Sequence, residues 1–425
     1  MTEAFVYDAI RTPFGKFGGG LAGVRPDDLA AHVVRSIVDR APGLTAEALE
    51  SGGSSAGADG QRSAIDEVVF GNANGAGEEN RNVARMATLL AGLPVSIPGT
   101  TVNRLCGSSL DAAMIASRQI AVGDAEIVLV GGVESMSRAP WVLPKTEKPY
   151  PAGDMTLAST TLGWRLVNPD MPKEWTVSLG EATEQLRERH AIGRDRQDEF
   201  AANSHNLADA AWNEGFYDNL VVPVPGTDLS RDEGIRPGSS AEKLAGLKTV
   251  FRKDNGDRSG TTAGGTVTAG NASPLSDGAS AVLLGSEAAA GTLGLEPIAR
   301  IAGRGAAGNE PQYFGFAPVE AANRALAKAG ITWAEVGAVE LNEAFAAQSL
   351  ACLDAWKIDP AIVNRHGGAI AMGHPLGASG GRILGTLARS LQASGERWGV
   401  AAICIGVGQG LAVVLENVTA RSGQK

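Results

Sequence analysis

Residues 102–122 read VNRLCGSSLDAAMIASRQIAV, and residues 363–394 read VNRHGGAIAMGHPLGASGGRILGTLARSLQAS. Both begin with the triplet Val-Asn-Arg and pass through glycines into an apolar stretch whose 3.6-residue periodicity predicts a helix. Outward from these two segments the same order of elements recurs. AFVYDAI (4–10) precedes PDDLAAHVVRSIVDRAPGLT (26–45) as PIARIAG (297–303) precedes PVEAANRALAKAGIT (318–332). IDEVVFGNANG (65–75) with NVARMATLLAGLP (82–94) corresponds to VGAVELNEAF (336–345) with AAQSLACLDAW (346–356). IVLVGG (127–132) matches AAICIG (401–406). After AAICIG the strand GLAVVLE follows at once, whereas its counterpart GASAVLLG (278–285) comes only after a long intervening stretch.

Strand-helix alternation in two copies predicts an α/β duplication with mainly parallel sheets, because parallel strands need crossovers and bury both faces. The expected division is 1–135 plus 276–296 for the first half, 136–275 for an insertion and 297–425 for the second half. The insertion, about Met136 to Leu275, is richer in Pro, Trp and charge, has one helical stretch from Glu181 to Phe200, and is expected over the mouth of the core. Two runs, 51–64 (SGGSSAGADGQRSA) and 253–266 (KDNGDRSGTTAGGT), are too polar and glycine-rich to pack and read as mobile surface loops.

With 425 residues, 44% of them apolar, the chain can bury a large core. Its formal charge of −10 repels nucleic acid and anionic lipid, so neither is an expected partner, and an anionic ligand must find a local cationic patch. The start, MTEAFVYDAIRTP, has no signal-peptide pattern, and the longest apolar tract, Val400 to Leu415, is broken by three glycines and Gln409, so no membrane span is expected. Three cysteines with no framework fit free thiols in a reducing compartment, hence a cytoplasmic protein. Cys352, in AAQSLACLDAW, reads as a buried small hydrophobe.

Cys106, His374 and Cys404 stand apart from this background, each in a glycine-rich setting (NRLCGSS, AMGHPLGASGG, AAICIGVGQG). Cys106 opens a helix, but a helix N-terminus stabilises an anion by only about 0.3–1 kcal/mol, too little to ionise a thiol near about 8.5. A neighbouring imidazole adds general-base help of about 10²–10⁴-fold. His374 is the candidate, since Pro375 and small neighbours make it a poor core histidine; simple packing is the competing reading of Cys106. His366 lacks the third histidine or HExxH spacing that zinc would need, and no metal is expected. The glycines of CIGVGQG suit either a backbone approaching a reacting centre or a tight hairpin.

The motifs VNRLCGSSLDA, GGVESMSRAP, TAGNAS with DGA, ELNEAFAAQ, GGAIAMGHPLGASG and CIGVGQG, in this order, identify the chain as resembling the thiolase family nearly end to end. DAIRTPFGKFGG, VRPDDLAA, GEENRNVARMATLLAGLP and TTLGWRLVNPDM resemble its degradative 3-oxoadipyl-CoA (β-ketoadipyl-CoA) branch. The resemblance implies a duplicated βαβαβαββ core layered α-β-α-β-α with an inserted loop domain. It implies that Cys106 carries the acyl group, that His374 activates it, and that Cys404 is the acid/base beside the thioester. Asn342 would hold a water that, with His374, stabilises an enolate, and the backbone amides of Cys106 and Gly406 would serve the tetrahedral intermediate. CoA, acetyl-CoA and 3-oxoacyl-CoA are implied as substrates, no further cofactor is, and a homodimer or homotetramer is suggested.

CoA brings phosphates to an acidic protein, and EKLAGLKTVFRKD offers Lys243, Lys248, Arg252 and Lys253, a run that is otherwise an ordinary solvated face. By resemblance, Arg236 and Phe251 clamp adenine, Ser273 contacts pantetheine, and Ala269, Ala344 and Phe345 line the tunnel. The chain departs from the family pattern at His366-Gly367-Gly368 and Ser276-Asp277. Pro274 would stiffen the pantetheine loop, and Phe314-Gly315 with Ala317-Pro318 would narrow the acyl pocket. Ser178 replaces a histidine frequent in biosynthetic members, which favours the degradative branch. A six-carbon acyl chain ending in carboxylate needs a cation in its pocket; Arg165 in GWRLVNP is the first candidate and Arg138 the second, against the plain alternative of a surface arginine. The alternative activities are a short-chain acetyl-CoA C-acetyltransferase, a non-catalytic acyl-CoA or lipid-binding relative, which would have no need of three reactive side chains, and a ketosynthase-type condensing enzyme, which would use a second histidine in place of Cys404.

Overall fold

The computed structural model describes residues 2–51, 63–261 and 263–422. The first half supplies β1 (Phe5–Arg11), β2 (Gly15–Lys16), α1 (Pro26–Asp39), α2 (Ala46–Ser51), β3 (Glu67–Gly71), α3 (Val83–Leu90), β4 (Gly99–Val102), α4 (Ser108–Val122) and β5 (Ile127–Ser135). The stretch that follows contains β6 (Trp141–Val142), β7 (Ala158–Ser159), α5 (Leu179–Arg189), α6 (Arg194–Asn213) and α7 (Ala241–Ala245), and leads to β8 (Ser276–Gly285) and α8 (Ala289–Leu293). The second half supplies β9 (Ala299–Gly308), α9 (Ala317–Ala329), β10 (Val336–Leu341), α10 (Ala346–Trp356), α11 (Ala369–Met372), α12 (Leu376–Ser394), β11 (Trp398–Ile405), β12 (Gln409–Asn417) and α13 (Val418–Ser422).

The main sheet runs β10-β11-β12-β9-β1-β8-β5-β3-β4, with β2 attached to β8. The order is the same from either end, so the duplication read from the sequence is present in space. The halves join where β1 meets β9 antiparallel, Phe5 opposite Arg300 and Val6 opposite Ala299. Where β4 pairs parallel with β3, the second half keeps only a single parallel bridge, Val363 to Val339.

The sheet is mixed, not mainly parallel as expected. β3 runs parallel to β4 and β5, and β10 to β11, but β8 and β12 each lie antiparallel between the first and fourth strands of their half. A short turn after β11 forces that direction, since only crossovers return a strand parallel. β5, β8, β11 and nearly all of β12 are buried on both faces because helices cover both sides. α1 and α3 pack on the outer face of the first-half strands, α4 and α12 fill the space between the halves, and α9 and α10 cover the outer face of the second. This is the α-β-α-β-α layering.

One further expectation fails and another holds only in part. The single helix expected from Glu181 to Phe200 is two helices, broken at His190–Gly193: Ala191 takes a left-handed φ of 52° and Gly193 is extended. The break lets Arg194 turn inward, where it pairs with Asp198 at 2.7 Å and donates to the carbonyls of Leu244 and Leu247. The run 253–266 is exposed over most of its described length, as expected of a surface loop, but it is anchored at Gly260 and Gly264–Thr266, which are buried. The backbone N–H groups of Thr266 and Val267 each donate to the buried Glu184 carboxylate at 2.8 Å, and the Arg258 carbonyl accepts from the Arg194 N–H at 2.9 Å. A buried carboxylate needs donors, and this loop's backbone supplies them. Residues 52–62 of the other run lie outside the described residues.

Candidate active site

α4 and α12 cross near their N-termini. The Gly381 N–H donates to Ser109 Oγ at 2.9 Å, and a Cβ on Gly380 would fall 2.2 Å from the Leu110 nitrogen, so only glycine permits this approach. Cys106 lies just before α4 and His374 just before α12, so the crossing carries both to one place. Two positive helix ends also converge there.

Cys106 sits in a 3-10 turn, Leu105–Gly107, entered through a left-handed Leu105 (φ 47°). It forms part of the wall of two cavities. One, of about 390 Å³, is bounded by Ala73, Asn74, Glu134, Thr160, Arg165 and Gly406 among others. The other, of about 400 Å³, is bounded by Ser178, Phe251, Ser273, Ala344, Phe345 and His374 among others. Leu162, Gly163, Trp164, Leu179 and Leu376 border both.

Burial pushes the Cys106 thiol up to about 11 and the nearby Glu134 adds to this, while the amides of Gly406 and of Cys106 itself hydrogen-bond the sulfur and pull the other way. Burial, then Arg382, holds His374 down at about 3. Its Nδ1 lies 2.6 Å from Ser379 Oγ, which donates its own proton to the Pro375 carbonyl at 2.9 Å. That leaves Nδ1 as the protonated nitrogen and Nε2 as the acceptor. Asn342 Nδ2 faces Nε2 at 3.4 Å, and its orientation is set from behind: Arg382 donates to Asn342 Oδ1 at 3.3 Å and pairs with Glu340 at 3.0 Å. Cys404, in β11, is fully buried and its thiol is pushed well above the ordinary range, by burial first and by Cys106 next, which places the two sulfurs near each other. Glu134 accepts from the N–H groups of Ala73, Asn74 and Gly377, and burial holds it up at about 7.

The structure brings together Cys106, His374, Cys404, Asn342 and the Gly406 amide. Cys404 and Asn342 lie behind the cavity surface, not on it. The turn carrying Gly406 is a hairpin from β11 to β12 whose Val407 has a φ of 68°, so the glycines serve both the turn and the approach to Cys106. Ser273, Phe251, Ala344 and Phe345 share the second cavity, where Phe251 packs on Gly180 so closely that a Cβ there would lie 2.1 Å from the ring. Phe251 also borders an outer hollow with Lys248, Arg252 and Lys253. Arg252 is committed to Glu181 and Glu188, and Lys243 donates to the Gly238 carbonyl. Arg236 and Ala269 are exposed and line neither cavity. Pro274 and Phe314 border the second cavity, not the one containing Arg165. Arg138 is tied up by Glu78 at 2.7 Å, outside both.

His366 stacks on Phe216, ring centroids 3.5 Å apart. Among the described residues no group of three or more His, Cys, Asp or Glu could hold a metal ion, and no helix is long and apolar enough to cross a membrane. Cys352 is buried in α10, donating to the Gly315 carbonyl. Sequence reasoning missed Thr160, Trp164, Glu134, Ser379 and Arg382. A signal existed for the last two: five and eight residues after His374, they fall on one face of the helix it precedes.

Residues 4–288 match the family model of the thiolase N-terminal domain, and residues 295–417 that of the thiolase C-terminal domain. A β-ketoadipyl-CoA thiolase of Escherichia coli is 45% identical over 98% of this chain and 100% of its own length. A 3-oxoadipyl-CoA/3-oxo-5,6-dehydrosuberyl-CoA thiolase of Escherichia coli K12 is likewise 45% identical, with the same coverage. The crystal structure of human mitochondrial 3-ketoacyl-CoA thiolase in complex with CoA superimposes with a TM-score of 0.86 at 34% identity, covering 98% of both chains. With both family domains matched in order and relatives similar from end to end, the chain belongs to the thiolase family.

Proposed function

We propose that this protein cleaves 3-oxoadipyl-CoA with CoA to succinyl-CoA and acetyl-CoA through an acyl-enzyme on Cys106. The observation that carries the reading is the position of Cys106 on the common wall of two cavities, with His374 on the wall of the second, a geometry suited to exchanging an acyl group between two thioester partners. The full-length likeness to relatives named for β-ketoadipyl-CoA and 3-oxoadipyl-CoA supports the substrate.

The Cys106 sulfur attacks the 3-keto carbon while His374 Nε2 takes its proton. Ionising the two groups in a separate step, from about 11 and about 3, would cost on the order of 10 kcal/mol, so proton transfer accompanies the attack. The amides of Cys106 and Gly406 stabilise the tetrahedral oxyanion, the carbon-carbon bond breaks, and the acetyl-CoA enolate leaves. Asn342, through a water, and His374 stabilise that enolate, and Cys404 protonates its carbon. CoA then gives its thiol proton to the site base and takes the succinyl group, restoring the Cys106 thiol. Ser273, Ala344 and Phe345 line the pantetheine path, Phe251 and Arg236 meet the adenine, and Lys248 and Lys253 meet the phosphates. CoA and its thioesters are the substrates and no other cofactor takes part.

The exposed, one-sided edge of β4 and the exposed Trp141, Leu143, Tyr150, Met155 and Leu157 support a homodimer or homotetramer. Three free cysteines support a cytoplasmic setting. The test is thiolysis of 3-oxoadipyl-CoA by the wild type and by Cys106→Ala. The wild type, given substrate without CoA, should gain the mass of a succinyl group and lose it on CoA addition. A Cys106→Ala protein that still cleaves would overturn the reading.

A further inference from the structure

We propose that Arg165 is the cation of a carboxylate subsite in the first cavity, so that the protein selects 3-oxoacyl-CoAs whose acyl chains end in a carboxylate. This rests on the thiolase reading and on the two cavities having different tenants. The second contains Phe251, Ser273, Ala344 and Phe345, which leaves the first for the acyl chain on Cys106.

Arg165 borders that cavity, half-buried, and no carboxylate among the described residues pairs with it. In this it differs from Arg104, Arg138, Arg187 and Arg252, each held by an acidic partner. A partly desolvated guanidinium without an anion is an incomplete ion pair, and a planar fork of donors matches a carboxylate.

The backbone holds Arg165 in place. Gly163 (φ 81°) and Leu166 (φ 50°) are both left-handed and bracket Trp164 and Arg165. The Trp164 indole N–H is anchored on the Val177 carbonyl at 3.1 Å. Upstream, buried Thr160 is fixed by its hydroxyl on the Pro140 carbonyl at 2.6 Å and accepts from Asn74 Nδ2 at 3.1 Å. The segment therefore presents the arginine from a pinned base.

Among the described residues Glu134 is the one carboxyl on the cavity wall. Its oxygens are taken up by three backbone N–H groups and burial keeps it near 7, so it is only partly charged at neutral pH. The remaining walls are apolar or neutral, which leaves Arg165 to compensate an incoming carboxylate.

The test compares thiolysis of 3-oxoadipyl-CoA with that of 3-oxohexanoyl-CoA, which has the same chain length and no terminal charge. Arg165→Met should lower kcat/KM for 3-oxoadipyl-CoA about 10- to 100-fold, the range for a lost charged hydrogen bond, and leave 3-oxohexanoyl-CoA within about threefold. Arg165→Lys, which keeps the charge without the fork, should retain part of the preference. Equal losses on both substrates would make Arg165 a structural residue, and a preference undiminished in Arg165→Met would place the carboxylate elsewhere; either result overturns the proposal. A wild type that fails to cleave 3-oxoadipyl-CoA at all refutes the broader reading instead, before any variant is compared.

Discussion

Replacing Arg382 separates two contributions that one side chain makes. It is fully buried, pairs with Glu340 at 3.0 Å and donates to Asn342 Oδ1 at 3.3 Å. Burial already raises Glu340 to about 8 with Arg382 beside it, so in Arg382→Met the stranded carboxyl takes up a proton and costs about 1–3 kcal/mol as a buried group without its partner. The double variant Glu340→Leu/Arg382→Met removes both charges, and such replacements are close to neutral, within about 1–2 kcal/mol. Stability should therefore be largely restored in the double variant, as read from urea unfolding midpoints at a fixed pH. Catalysis should not be. Without Arg382 no other donor among the described residues secures the Asn342 oxygen, and its amide loses the orientation that turns Nδ2 toward His374. Removing a preorganised donor costs about 10²–10³-fold in kcat, so partial misorientation should cost about 10- to 100-fold with KM little changed. A double variant with wild-type kcat would refute the positioning of Asn342 by Arg382. A single variant as stable as the double would refute the energetic argument.

Gly180→Ala should push the Phe251 ring aside, raising KM for CoA several-fold with kcat nearly unchanged; an unaltered KM would dissociate Phe251 from CoA binding. His374 is neutral and buried at about 3, below its unfolded value of about 6.5. As pH falls below about 6.5 the unfolded chain takes up a proton that the native protein refuses, and stability is lost until the pH reaches the folded value. Between pH 7.5 and pH 5 the wild type should lose about 2 kcal/mol relative to His374→Gln, measured by urea unfolding at both pH values; parallel curves would contradict a buried neutral imidazole.

The duplicated architecture was legible because the repeat is written in element order and in the shared Val-Asn-Arg triplet, both local signals. Strand direction was only half legible: the immediate succession of AAICIG and GLAVVLE marks β12 as an antiparallel partner of β11, whereas β8, separated from β5 by the insertion, has no such mark. Cys106, His374 and Cys404 stood out by residue type and glycine context. Arg382 and Ser379 did not, since they look like ordinary helix residues until α12 is seen to point them at Asn342 and His374. Composition marks the exposed part of 253–266 correctly but not its anchor points, because those depend on Glu184 and Arg194, which are distant in sequence. Sequence alone puts Arg165 first and Arg138 second without a contact to justify the order; the Glu78 carboxylate, which holds Arg138, is what separates them.

The crossing of α4 and α12 has a consequence for how the two copies diverged. Cys106 and His374 occupy equivalent places, each at the entrance to the central helix of its own half. Two identical chains arranged about the same axis would offer matching side chains at both entrances, two sulfurs or two imidazoles. Fusion into one polypeptide lifts that constraint, so one doorway can hold the group that attacks and the other the group that receives the proton.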